Sequence, residues 1–244
     1  MRAVRSAFPP GIERRIGNLP TIVCTVGDRE YWLAQTGVGL EKAGRSAAQL
    51  FDNQSFGLMV STGFACALIP VDIGTLLVGH EVLHRGVHGD STEVFNVPGD
   101  ERDLLLTFVE TLVPPEHIGR FVSADQVIGN AREKQRYALN TRSIGLDMES
   151  SALAAQAQRA QIPFVIVRSV SDLLDEDLPL DFNLFLRPTG WLKGIGAVLA
   201  APSCLLGLGR LRRQSLVAAE ALTAFFGSYA AMAMERQKKE LWPT

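Results

Sequence analysis

The segment that most constrains this chain is Ile162 to Val170, IPFVIVRSV. A run this continuously apolar, with no alternation of period two, marks a central strand covered on both faces. One cation, Arg168, interrupts it, and a charge placed there is costly unless it is paired. Strand and helix signals alternate along the rest of the chain. Thr21 to Val26 is apolar and β-branched, Gly27-Asp28 is a turn signal, and Glu30 to Gln35 reads as the returning strand of a hairpin. Gly39 to Asp52 has helical spacing, with Leu40, Ala43, Ala47 and Leu50 on one face. Phe56 to Val60, Thr75 to Leu83 and Ile118 to Val122 read as strands. Asp100 is expected to cap a helix running to about Val113, with Leu104, Phe108 and Leu112 inward. Met148 to Ala160 is an Ala-rich helix. The alternation predicts an α/β domain with a largely parallel sheet.

With 244 residues, 47% hydrophobic and 20% charged, the chain can bury a core without disulfide or metal staples. One domain over 1–244 is expected. A net charge of −2 provides no global footprint for nucleic acid. Cys24, Cys66 and Cys204 are few and widely spaced, which excludes a disulfide framework or cysteine zinc site and points to a reducing compartment. Met1 to Ile16 has no apolar signal core, and the charge-free stretch Gly194 to Gly209 has 16 residues, short of the roughly 20 that span a bilayer. A cytoplasmic location is therefore expected. From Arg187 onward the chain carries eight Lys/Arg against three Glu, a charge of +5 against −7 for the rest. This region reads either as C-terminal helices packed on the sheet or as an amphipathic surface, about 187–213, that meets a lipid or lipid-like substrate.

In open α/β sheets, ligands gather at the carboxyl ends of strands. Three such ends carry polar residues. Ser61-Thr62-Gly63-Phe64-Ala65 reads as a small-residue turn after a strand. Asp147-Met148-Glu149 precedes the Ala-rich helix, where either carboxylate is placed to cap it. Arg168 to Asp172 ends the apolar strand, and Asp172 reads as a cap or a general acid.

Taken together these stretches resemble the nucleoside phosphorylase superfamily, and within it the methylthioadenosine/S-adenosylhomocysteine nucleosidases. The matching segments are TGVGLEKAG at 36–44, VSTGFACAL at 60–68, SADQVIG at 123–129 and GLDMESSALAAQAQRAQIPFVIVRSVSD at 145–172. The resemblance implies a single three-layer α/β/α domain around a mixed twisted sheet, with extra C-terminal helices, assembled as a homodimer or higher homo-oligomer. It implies cleavage of the N-glycosidic bond of a purine nucleoside. Such cleavage passes through an oxocarbenium-like cation, and the base leaves well only when N7 is protonated. Asp172 matches the acid, with Ser171 beside it as orienter. Glu149 matches the carboxylate that grips the ribose hydroxyls and stabilises the developing cation. Met148 matches the residue packing on the ribose, and Val38 a ribose contact. Val127 and Ile128 match the positions that hold the base, although the family has an aromatic where Val127 stands. Phe64 and Ala65 belong to the STG segment of the site, and Arg168 is expected to orient the acid or the Glu149 network.

Two departures concern the nucleophile. The nucleosidases carry a water-activating glutamate after the first strand, and the simplest register puts Gly11 there, with Glu13 two residues on; the expected first strand is poor because Arg2 and Arg5 interrupt it. Phosphorylases hold phosphate with an arginine and a serine around the STG turn, where this chain has Ser61 and Phe64. Arg14, Arg15 and Arg29 remain as phosphate contacts, so phosphate is a possible co-substrate and no other cofactor is implied. The apolar, basic extension resembles that of hopanoid-associated phosphorylases, which favours a lipid-linked adenosyl substrate. A conventional methylthioadenosine or S-adenosylhomocysteine nucleosidase, a futalosine-like substrate, and a nucleoside-binding protein without catalysis stay as alternatives. Cys66 reads as a buried thiol. His80, His84 and His88 lie on or after a strand, where positions i and i+4 are about 13 Å apart, so no metal site is expected.

Overall fold

The computed structural model describes residues 2–86, 91–94, 97–183 and 203–241. The chain opens with a short helix, α1 (Arg2–Ser6), where a poor strand was expected. A three-stranded antiparallel meander follows: β1 (Ile12–Ile16), β2 (Leu19–Val26) and β3 (Arg29–Ala34). The β2–β3 turn falls at Gly27-Asp28, with Val26 opposite Arg29, as the turn signal requires.

The main sheet holds β4 (Met59–Ala67), β5 (Leu76–Arg85), β6 (Ser91–Val94), β7 (Ile118–Ala124), β8 (Gly145–Asp147) and β9 (Phe164–Asp172). Its order is β6-β5-β7-β8-β4-β9, and β5 pairs with β9 as well. Five strands thus close into a barrel-like ring. Pairing is mixed rather than largely parallel: β4–β9, β5–β7 and β7–β8 run parallel, whereas β4–β8 and β5–β9 are antiparallel. The apolar run behaves as its composition demands. Every residue from Phe164 to Val170 is buried, with Val165 and Val167 in one apolar cluster and Ile166 and Val170 in another.

Helices cover both faces. On one side lie α1, α3 (Asp100–Glu110) and α6 (Ser203–Leu241); on the other lie α2 (Leu40–Phe51) and α5 (Ser150–Arg159), packed on each other through small residues such as Ala43, Ala47, Ala154 and Ala157. The expected α/β/α layering is therefore present. Three local expectations are corrected. Asp100 is the first residue of α3, after Gly99, and its most buried residues are Leu105, Val109 and Val113, one residue on from the expected face; of that face Phe108 still packs on the core, whereas Leu112 is half exposed. The chain from Ser61 to Ala65 is the middle of β4, because its hydrogen bonds go to β9; the turn lies beyond Leu68. Of the expected C-terminal helices the described residues contain one long helix, α6, and of the 187–213 extension only 203–213 lies among the described residues.

Gly207–Gln237 is long and apolar enough to cross a membrane by length and composition alone. Its Ala218, Leu222, Phe225, Phe226 and Tyr229 face is nevertheless built into the core, with Phe225 and Tyr229 against Phe108 of α3 and Phe226 against Phe8. Leu222→Ala should lower stability by about 2–5 kcal/mol through the cavity it leaves. Leu216→Ser, on the exposed face of the same helix, should change it by less than about 0.5 kcal/mol. Urea denaturation of both variants checks the pair.

Candidate active site

The carboxyl ends of β7 and β8 meet interior residues of β4 and β9 around Asp147. Its side chain is almost fully buried, and it stands at the end of β8 just before α5. Oδ1 accepts from Ser123 Oγ at 2.6 Å and from the backbone N–H groups of Glu149 and Ser150 at 3.1 Å each. Oδ2 accepts from the Ser150 hydroxyl and lies 3.1 Å from Arg168 Nη2. Asp147 is thus the acid that caps α5, satisfying orphan N–H donors of its first turn. Glu149 occupies the N-cap position in the chain, yet its side chain makes no capping bond. It turns out instead: Oε1 accepts from the backbone N–H of Gly39 at 3.0 Å, and Oε2 lies 3.4 Å from Arg168 Nη2. The two acids of the Asp-Met-Glu triplet therefore divide the roles that sequence left open. Gly39 has φ +92, a left-handed conformation, and this presents its N–H to Glu149.

Arg168 resolves the question of a cation inside the apolar strand. Its guanidinium spreads over Asp147, Glu149, Ser61 Oγ (3.1 Å), Ser150 Oγ (3.3 Å) and the Phe64 carbonyl (3.0 Å). The planar guanidinium brings two nitrogens to these acceptors, Nη1 to the Phe64 carbonyl and Nη2 to the others, while Nε has no hydrogen-bond partner among the described residues; an ammonium would present one nitrogen. Gly63 makes room: a Cβ there would stand 2.9 Å from Arg168 Nη1. Arg168 therefore belongs to the Glu149 network, and Ser61 is occupied by it.

Asp172 ends β9, opposite Cys66 of β4. Ser171 has no hydrogen bond to it among the described residues. Lys134, from α4 (Ala131–Thr141), does: its Nζ lies 2.7 Å from Oδ1. Burial pushes the Asp172 carboxyl above the usual carboxylate range, and Lys134 holds it back. Cys66 is a buried free thiol whose pKa is pushed well up, by burial first and then by Asp172. α4 was not legible because its sequence, AREKQRYALNT, offers almost no apolar stripe; its one signal was Asn130, which caps it by accepting from the Arg132 and Glu133 N–H groups.

The remaining expected residues fall around these two acids. Met148 is half-buried between Asp147 and Glu149. Val38 and Phe64 are exposed apolar side chains, at 57% and 40%, each one residue or one carbonyl away from the Glu149–Arg168 pair. Ala65 turns its methyl into the core. Ile128 is buried, and Val127 is held by Asn183, whose amide bonds the Val127 N–H at 2.8 Å and its carbonyl at 2.9 Å. The Ile128 N–H and carbonyl meet no partner among the described residues. A cleft of about 420 Å³ opens beside Val127, edged by Asn130, Leu180, Phe182 and Asn183.

Several expected nucleophile-handling residues belong to the β1–β3 meander or directly precede it. Gly11 precedes β1 in the small meander, where a Cβ would meet the Val23 carbonyl at 2.5 Å, and Glu13 is exposed on β1. Arg29 is paired with Glu101 of α3, and Arg14 stacks on Trp32. His80 and His84 of β5 pair with Glu81 and Asp125, and His88 lies outside the described residues.

Arg168→Met should cost about 3–5 kcal/mol, because it leaves the Asp147 charge buried without its partner. Arg168→Lys should recover only part of this, since an ammonium cannot reach Asp147, Ser61 and the Phe64 carbonyl together. Guanidinium denaturation of the three proteins measures the order.

Comparison with known proteins agrees with this geometry. The profile of the phosphorylase superfamily matches residues 8–187. A 5′-methylthioadenosine/S-adenosylhomocysteine nucleosidase of Staphylococcus aureus (strain MRSA252) is 26% identical over 173 residues, covering 66% of this chain and 76% of that protein. Its Staphylococcus epidermidis counterpart is 25% identical over 187 residues, covering 71% and 82%. Among solved structures, a mutant Helicobacter pylori methylthioadenosine nucleosidase with 5′-methylthioadenosine in its active site superimposes with a TM-score of 0.70 at 13% identity, covering 95% of this chain and 93% of that one. Futalosine hydrolase of Helicobacter pylori gives 0.68 at 13% identity, covering 96% and 92%. The structural likenesses establish a shared fold.

Proposed function

Because the chain belongs to the phosphorylase superfamily, we propose that it hydrolyses the N-glycosidic bond of an adenine nucleoside carrying an apolar 5′-substituent, of the methylthioadenosine type. The observation that carries this reading is the division of labour between two carboxylates: Glu149, freed from capping by Asp147, and Asp172, held in a buried and proton-retaining setting.

Asp172 donates its proton to N7 of the base. The C1′–N9 bonding pair then leaves with the purine, and positive charge develops at C1′ and the ring oxygen. Glu149 accepts from the ribose hydroxyls and stabilises that charge. Water adds to C1′ and loses a proton, giving the free base and the 5′-substituted ribose, and Asp172 is reprotonated. Because the cation is well developed before water arrives, leaving-group protonation and charge stabilisation supply most of the rate, and a dedicated base matters less. Met148 packs on the sugar, where a flexible thioether suits an irregular surface. The peptide groups of Ile128 read the base edge, Val127 covers its face, and Ala65 backs the site from the core. Val38 and Phe64 flank the Glu149 end and receive the 5′-group.

Water rather than phosphate is supported by the occupation of Ser61 and Arg168 with each other and of Arg29 with Glu101. The reading includes a cytoplasmic enzyme without metal or organic cofactor, folded as one domain over 1–244 and without a nucleic-acid partner. It includes a homodimer or higher homo-oligomer, for which Ile12 and Leu139, 68% and 80% exposed, supply apolar surface. A longer, lipid-linked 5′-substituent of the hopanoid type, with peripheral contact to lipid, is the finer version; the exposed Phe64 ring favours it.

Adenine release should be measured from methylthioadenosine, S-adenosylhomocysteine and a long-chain 5′-alkyl adenosine, each with and without phosphate. Release should be equal in both buffers. Phosphate dependence would overturn hydrolysis, preference for the long chain would select the lipid-linked version, and binding without release would leave a nucleoside-binding protein. Asp172→Asn should abolish release while the protein stays folded, since the amide oxygen still accepts from Lys134. Glu149→Gln should lose on the order of 10²-fold in rate. The rate should fall as pH rises through the raised pKa of Asp172, because only its protonated form delivers the proton.

A further inference from the structure

Among the described residues Lys134 is a charged side chain with no solvent exposure at all, and it is absent from the chemistry above. Its Nζ meets three acceptors: Asp172 Oδ1 at 2.7 Å, the Leu173 carbonyl at 2.9 Å and the Glu176 carbonyl at 2.6 Å. Three short contacts to three acceptors need three N–H donors, so the group is the ammonium and not the neutral amine. A buried ammonium is tolerated only with such a complete shell. We infer that Lys134 is a positioning residue for the acid: it fixes the Asp172 carboxyl through Oδ1 and thereby confines the transferable proton to Oδ2.

The reasoning is electrostatic. An ammonium donating to Oδ1 excludes a proton from that oxygen, so a protonated Asp172 presents its O–H on the other one. When the proton leaves, the new carboxylate already faces a cation, so the transfer needs no reorganisation. The same ammonium ties the loop after β9 to α4. Beside it the Ala131 N–H donates to Asp177 at 2.7 Å, and the Leu178 N–H to the Gly129 carbonyl at 2.8 Å. Acid loop and base-reading segment are thus joined by one seam. The other ionisable groups facing Asp172 are Cys66 from β4, which stays a neutral thiol, and Glu176 on its own loop.

This inference rests on Asp172 being the acid of the proposed reaction, so its test needs a readout independent of turnover. In protein labelled at the Asp carboxyl carbons and Lys Nζ, the Lys134 resonance should move with pH at the same midpoint as Asp172. In Lys134→Gln and Lys134→Met, the Asp172 midpoint should rise by about one pH unit or more, because an adjacent cation no longer favours the charged form. Kinetically, kcat should fall on the order of 10²-fold, with KM changed less than about threefold, and the alkaline limb of kcat should follow the carboxyl midpoint upward. If the carboxyl midpoint stays put in folded variants, or if the wild-type Lys134 and Asp172 signals titrate independently, the inference falls. The wild-type titration decides it even where neither variant folds. Absence of turnover in wild-type protein would defeat the proposed hydrolysis, and the paired titration would still report whether Lys134 governs Asp172.

Discussion

Arg168 is the constraint around which the site is built. A cation in the middle of a strand that is buried on both faces has to find its counter-charge inside the sheet. It finds it in Asp147, one strand end away, and the pair fixes what surrounds it. Removing two such charges from water costs several kcal/mol per ion unless the remaining donors and acceptors are also satisfied. Here Ser61, Ser123 and Ser150 supply the additional bonds. The small hydroxyl residues at the ends of β4, β7 and α5 are therefore partners of a buried pair, and Gly63 is the gap through which the guanidinium passes.

This arrangement has a consequence for Glu149. A carboxylate at the start of a helix is ordinarily drawn into capping. With Asp147 already taking the N–H groups of Glu149 and Ser150, the Glu149 side chain is released toward the Gly39 turn and the open side of the site. One acid is spent on structure so that its neighbour two residues on stays available to a ligand. Asp172 is treated differently. Its partners are a single cation and a neutral thiol in a buried pocket, and burial outweighs the cation, which favours retention of a proton. Two acids are thus given different surroundings, which under the proposed reaction suit them to the separate acid and electrostatic roles of glycoside cleavage.

Much of this was legible in sequence wherever a residue's type conflicted with its setting. The IPFVIVRSV run specified the central strand, and the arginine within it announced a buried acid nearby. The motif segments identified Glu149 and Asp172 as candidates, and the hairpin and α2 lay where turn and periodicity signals put them. What escaped notice has physical reasons. α4 is polar on nearly every face, so periodicity gave nothing, and with α4 Lys134 was lost as well. A lysine in such a helix reads as solvated until tertiary structure buries it. The Ser61–Ala65 segment read as a turn because glycine and serine are turn residues, whereas Gly63 is needed for a close approach within a strand. Strand and helix alternation alone suggested a largely parallel sheet because β8, which inserts between β7 and β4, is only three residues long; the mixed sheet was legible through the motif resemblance.

The two halves of the site sit on different kinds of support. Glu149 rests on elements of the closed sheet, through an ion pair that is nearly solvent-free. Asp172 and the Val127–Gly129 segment are joined to each other by a seam of loop contacts: Lys134 to Asp172, Leu173 and Glu176, Ala131 to Asp177, Gly129 to Leu178, and Val127 to Asn183. The group that would grip the sugar is held by the core, while those that would read and protonate the base move together if they move at all. Under the proposed reaction, whose barrier lies in breaking the bond between sugar and base, that division would keep the proton donor aligned with the leaving group.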